Sequence, residues 1–133
     1  MRTLAQFFKT LADESRLQIL WLLSKHEELC VCDVVEALRI TQSKASRHLT
    51  TLKHAGLVTD RRDGAWSYYS LKPVANALER AQLQSLLTGM ECHPGAAEVL
   101  RDLNAWLATS SRGKTCADKR GCKPAHKREP KRP

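Results

Sequence analysis

Two cysteines separated by one residue, in Glu28-Leu29-Cys30-Val31-Cys32-Asp33, carry the most reactive chemistry in this sequence. Thiolate is a soft ligand that selects thiophilic ions. A cysteine at the start of a helix also has a lowered pKa, because the free N–H groups and the helix dipole favour the anion. The chain holds five cysteines, an odd number that cannot all pair internally, and Cys-x-Cys is too tight for an ordinary disulfide framework. Reduced thiols are therefore expected. In a regular helix, residues two apart lie about 200° around the axis, so Cys30 and Cys32 reach one small ion only if the first turn is distorted. Further thiols stand at Cys92, beside His93, and at Cys116 and Cys122 among Lys119, Arg120 and Lys123.

A second constellation follows directly. Ala45, Leu49 and Leu52 recur at the spacing of one helix face, which turns Gln42, Ser43, Lys44, Ser46, Arg47 and Thr50 outward. These are short or forked donors suited to base edges and phosphates. His48 lies in the same stretch and reads equally well as a DNA contact or as a side chain bonded to the backbone beneath the helix. From Arg39 to Arg62, six basic side chains face Asp60 alone, and Arg61 and Arg62 sit just before Asp63-Gly64. Such a patch suits a polyanion such as DNA.

The elements that position these groups follow from periodicity. Leu4, Phe7, Phe8 and Leu11 give a first helix. Asp13 and Ser15 cap a second, running to about Ser24 and apolar nearly all around, as expected of a central buried helix. A short helix from about Cys30 to Leu38, a tight turn and a longer helix from Thr41 to Ala55, stopped by Gly56, form a helix-turn-helix. Leu57 to Arg61 and Ala65 to Leu71 read as strands joined by an Asp-Gly hairpin, a wing able to approach adjacent phosphates or the minor groove. Pro73 is expected to open a further helix, broken near Gly89 and again at Pro94-Gly95. In the last helix Ala96, Val99, Leu100, Leu103, Trp106 and Leu107 form a stripe that needs a partner surface, for which a dimer interface is the candidate. The expected fold is mainly α, a winged helix-turn-helix of five to six helices plus a two-stranded hairpin.

Of the formal net charge of +8, residues 112–133 supply most, with nine Lys and Arg against two Asp and Glu. The expected organisation is thus a DNA-binding and dimerisation domain over 1–110 and a basic, disordered tail over 111–133. No apolar run is long enough to span a bilayer and the start does not read as a signal peptide, so a cytoplasmic protein with no membrane partner is expected. No Ser-His-Asp order, phosphate loop or carboxylate pair points to an enzyme, and Asp33 reads as a helix cap.

The segments LADESRLQIL, QSKASRHLTTLKHAGLV and DRRDGAWSYYSL, together with the ELCVCD box, resemble the ArsR (SmtB/ArsR) family of winged-helix metalloregulators over roughly Leu4 to Leu71. The resemblance implies a homodimeric repressor that binds double-stranded operator DNA and is released by arsenite (As(III)) or antimonite (Sb(III)) held on Cys30 and Cys32. Cadmium and lead sensors of the family share the box but take further cysteines from an N-terminal extension, whereas the first helix here begins almost at Met1. Zinc sensors use carboxylate and His ligands along a late helix, whereas Ala75 to Gly89 contains no Asp or His. In arsenite sensors a third cysteine follows three residues after the second. That place is Val35 here, which leaves Cys92, Cys116 and Cys122 as candidates for a third ligand.

Two other readings stand beside this one. A thiol redox or sulfide-responsive repressor would pair Cys30 or Cys32 with Cys92 or a tail cysteine. A metal-buffering protein would use the winged-helix body only as a scaffold for its thiols. The homodimer is expected to form through the N-terminal and C-terminal helices, matching the two half-sites that helix-turn-helix proteins usually read.

Overall fold

Phe7 and Leu11 turn one side of helix α1 (Arg2–Leu11) inward, while Gln6 and Lys9 stay in solvent. The structure, a computed structural model, describes residues 1–109; the basic tail read over 111–133, with Cys116 and Cys122, lies outside the described residues. In α2 (Glu14–Lys25) the Asp13 side chain accepts the Arg16 backbone N–H at 3.1 Å, satisfying one orphan donor of the first turn. Five consecutive residues, Ile19 to Leu23, are buried, so α2 is the central helix that its all-round apolar sequence implies.

Next come β1 (Leu29–Cys30), α3 (Val31–Leu38), α4 (Gln42–His54), β2 (Val58–Asp63), β3 (Trp66–Leu71), α5 (Ala77–Met90) and α6 (Pro94–Ala108). Helices α3 and α4 form the helix-turn-helix. Its turn is set by Arg39, at φ 58° and ψ 43°, the non-glycine residue in the left-handed region among those described. Ala45, Leu49 and Leu52 of α4 are fully buried, as the spacing implied. Strands β2 and β3 pair from Val58↔Leu71 to Asp63↔Trp66, leaving Gly64-Ala65 as a two-residue turn with positive φ at Gly64. That pattern matches the twist of a tight hairpin, for which glycine at the first loop position is favoured.

Four departures from the sequence reading matter. The wing has a third strand, because β1 pairs antiparallel with β3 in the order β1-β3-β2. Helix α5 starts at Ala77, not Pro73, since Asn76 offers the better cap and accepts the Glu79 N–H at 3.0 Å. Gly89 remains helical, and the break falls at 91–93. Pro94 then opens α6 instead of breaking a helix, because proline lacks only an N–H that the first turn leaves orphaned anyway.

The stripe on α6 also finds its partner within the chain. Ala96, Val99 and Leu103 are buried against α2 and α3, so this stripe is intramolecular core and not the exposed dimer surface expected. The buried Trp21 indole N–H donates to the Ala96 carbonyl at 2.9 Å, pinning the start of α6 to α2. Trp21→Phe keeps most of the ring but removes this tie to a carbonyl that the helix itself also engages, and is expected to cost about 0.5–1.5 kcal/mol in urea unfolding of the reduced protein.

Candidate thiol site and nucleic-acid interface

Cys30 is both the last residue of β1 and the N-cap of α3, with extended backbone at φ −94° and ψ 171°. Cys32 lies one step inside the first turn. The 200° separation of two helical residues therefore does not apply to this pair, because one of them has left the helix. Both side chains are buried in one cluster with Trp66 and Tyr68, whose rings stack at 5.8 Å and 6°. Cross-strand pairing creates that neighbourhood: Cys30 stands opposite Tyr68, and Tyr68 opposite Arg61. The Trp66 indole N–H is buried and has no hydrogen-bond partner among the described residues. Thiolate chemistry at this pair belongs to the reduced protein.

Asp33 holds the site together. It is fully buried, and its two oxygens serve different elements: Oδ2 accepts the Cys30 backbone N–H at 2.9 Å, and Oδ1 accepts the Trp106 indole N–H of α6 at 3.0 Å. The capping role read from the sequence is thus half of what this carboxylate does.

Cys92 is exposed in the connection between α5 and α6. It precedes α6, whereas Trp106 beside the thiol site is near the other end, about 18 Å further along a helix of this rise. The structure brings Cys30 and Cys32 together and leaves Cys92 apart; Cys116 and Cys122 lie outside the described residues. Among the described residues no group of three or more His, Cys, Asp or Glu is placed to hold a metal ion.

On α4, Thr41 accepts the Lys44 N–H at 3.2 Å and starts the helix. Gln42, Ser43, Lys44, Arg47 and Thr50 are exposed, and Ser46 is half-buried. His48 is turned toward the α1–α2 corner, with Nδ1 3.3 Å from Arg16 Nη1 and 3.9 Å from Asp13. Arg16 in turn donates to the Thr10 carbonyl at 2.6 Å, so His48 ties α4 to a fixed corner.

The two wing arginines differ. Arg62 is exposed and, among the described residues, reaches Ser67 Oγ at 3.4 Å. Arg61 donates through Nε and Nη2 to both oxygens of Glu28, at 2.5 and 2.9 Å, and its guanidinium lies 4.7 Å over the Tyr68 ring. The Glu28 hydrogen bonds raise the Arg61 pKa further, while burial raises that of the neighbouring Tyr69 phenol. Sequence reasoning missed Glu28 as the anchor of Arg61, since nothing local signals a pair 33 residues apart.

Comparisons with known proteins follow the same outline. Residues 13–60 match the family described as "Bacterial regulatory protein, arsR family". The chain is 54% identical over 68 residues to the arsenical resistance operon repressor of Escherichia coli, covering 51% of this chain and 58% of that one. It is 41% identical over 81 residues to a cadmium resistance transcriptional regulatory protein homolog of Staphylococcus aureus, covering 59% and 67%. The chain thus spans little more than half the length of the first of these relatives. Among solved structures, the homodimeric winged helix-turn-helix DNA-binding domain of a possible ArsR-family regulator from Mycobacterium bovis superposes with a TM-score of 0.55 at 32% identity, over 69% of this chain and 82% of that one. These matches are to regulators and not to enzymes. Among the described residues no helix is long and apolar enough to cross a membrane.

Because Arg62 is exposed while Arg61 is bound by Glu28, their alanine variants should separate. In salt-dependent binding to DNA, Arg62→Ala is expected to reduce the slope of log K against log salt by about 1, and Arg61→Ala to leave it unchanged while lowering stability by about 1 kcal/mol.

Proposed function

Since this chain belongs to the arsR family of bacterial regulatory proteins, we propose that it is a homodimeric repressor of transcription, released from operator DNA when Cys30 and Cys32 bind As(III) or Sb(III). One observation carries the reading: the two cysteines are buried together at the start of α3, the helix that precedes the DNA-reading α4. Gln42, Ser43, Lys44, Ser46, Arg47 and Thr50 of α4 supply the contacts to base edges and phosphates, with Arg62 of the wing on the flanking backbone. His48 and Arg61 act from behind, holding α4 and the wing in place. The name of the Escherichia coli relative supports an arsenical inducer, and that of the Staphylococcus aureus relative makes cadmium the control.

The chemistry balances without redox change. Arsenite presents three hydroxyls; each thiol that bonds arsenic gives its proton to a departing hydroxide, which leaves as water. Two thiols yield a dithiolate that keeps one As–OH bond. A third thiolate from Cys116 or Cys122 would displace that last hydroxyl in the same way.

The dimer reading rests on the α1–α5 side of the molecule. Phe8 and Leu78 are half exposed, and an apolar cavity of about 610 Å³ opens among Leu17, Leu86, Met90 and Ala96. A second copy seated there would cover α1 and α5, so the N-terminal helix of the expected interface is kept and α5 replaces the last helix α6 in it. Phe8→Glu is expected to shift the protein toward monomer in sedimentation and to weaken operator binding.

A thiol redox reading draws on the same two buried neighbours, Cys30 and Cys32. Loss of DNA binding on peroxide treatment, without any metal and restored by dithiothreitol, would select it. The decisive test of the main reading is fluorescence anisotropy of the reduced protein on its own upstream DNA, titrated with arsenite, antimonite and cadmium. Arsenite or antimonite is expected to weaken binding by about tenfold or more, and Cys30→Ser/Cys32→Ser to abolish that response while still binding DNA. Equal release of the double variant would contradict the proposal.

A further inference from the structure

Resting on that reading of the thiol site, we infer that Trp106 and Asp33 are the positioning residues that report thiol capture to the helix-turn-helix, with α6 as the connecting lever. Helix α6 packs along α3 and is tied to both ends of it. At the start of α3, Trp106 Nε1 donates to Asp33 Oδ1 at 3.0 Å. At its end, Arg39 Nη2 reaches Asp102 Oδ2 at 3.5 Å. Arg39 is the left-handed residue that sets the turn into α4. Asp102 and Trp106 are four apart, so they share one side of α6 and straddle α3.

The thiol site meets this brace at a single carboxylate. Asp33 accepts the Cys30 N–H on Oδ2 and Trp106 on Oδ1, and it is fully buried, so neither donor is replaced by water at no cost. Binding one ion through both sulfurs replaces their packing against Trp66 and Tyr68 and pulls on the Cys30 backbone that Asp33 anchors. The Cys30 N–H then leaves Oδ2, and the carboxylate reorients toward the donors that remain. Trp106 follows or is released. In either case α6, one turn away at Asp102, shifts against Arg39, in the turn that fixes the angle between α3 and α4. Interfaces of this kind have discrete arrangements, which lets a small local change bias α4.

Trp106→Phe keeps the ring against α3 and removes only the donor, so it tests the lever without removing a thiol or a DNA contact. In the reduced full chain, arsenite capture is read by thiolate–arsenic ultraviolet absorption and DNA release by anisotropy. Wild type and Trp106→Phe are expected to capture arsenite alike, with release falling from about tenfold in wild type to less than about threefold in the variant. Alike capture with undiminished release would overturn the inference. Asp33→Asn provides a second reading that does not depend on the inducer: amide exchange across 94–108 and 39–41 should accelerate relative to α2, and unchanged exchange there would overturn it. Absence of arsenite capture by the wild type would sink the proposed function instead, leaving the exchange measurement to decide the lever.

Discussion

A carboxylate with no exposed surface must have its oxygens satisfied by protein donors, and in this chain that requirement falls on Asp33. Its two bonds join three parts of the molecule: the strand end that carries Cys30, the helix that carries Cys32, and the C-terminal helix through Trp106. Charge-assisted bonds in a dry environment are strong when complete and costly when half made. The backbone that carries Cys30 is therefore held in place by a buried carboxylate shared with α6.

The same corner controls the wing. Because β1 is the third strand of the hairpin sheet, Cys30 belongs to the wing as much as to α3, and Glu28, two residues before it, fixes Arg61. Lys53 near the end of α4 is bonded to Asp60 of β2 at 3.0 Å. Helix α4 is thus tied to β2, and the strand that carries Cys30 is tied to the same sheet through β3 and through Glu28.

Much of this was legible in the sequence because it is local. The spacing of Ala45, Leu49 and Leu52 gives the buried side of α4, Asp-Gly gives the hairpin, and Asp33 three residues after Cys30 gives a cap. What was not legible depends on partners distant in the chain. A two-residue strand has no period to detect, so β1 is visible only once β3 lies beside it. The α6 stripe shows that a surface must be covered, but periodicity does not say whether a second chain or the chain's own α3 covers it. Arg61 reads as a wing contact until Glu28 is placed against it, and no feature of Trp106 marks it as a donor to a residue 73 positions earlier.

In the proposed switch, capture at Cys30 and Cys32 breaks the bond from the Cys30 N–H to Asp33. Hydrogen exchange at the Cys30 amide, followed by NMR in the reduced protein with and without one equivalent of arsenite, addresses it most directly. The amide is expected to be protected and to lose about tenfold or more of its protection on arsenite binding, while Leu49 and Leu52 in the core stay protected. Equal protection of the Cys30 amide in the two samples, with arsenite demonstrably bound to the thiols, would contradict it.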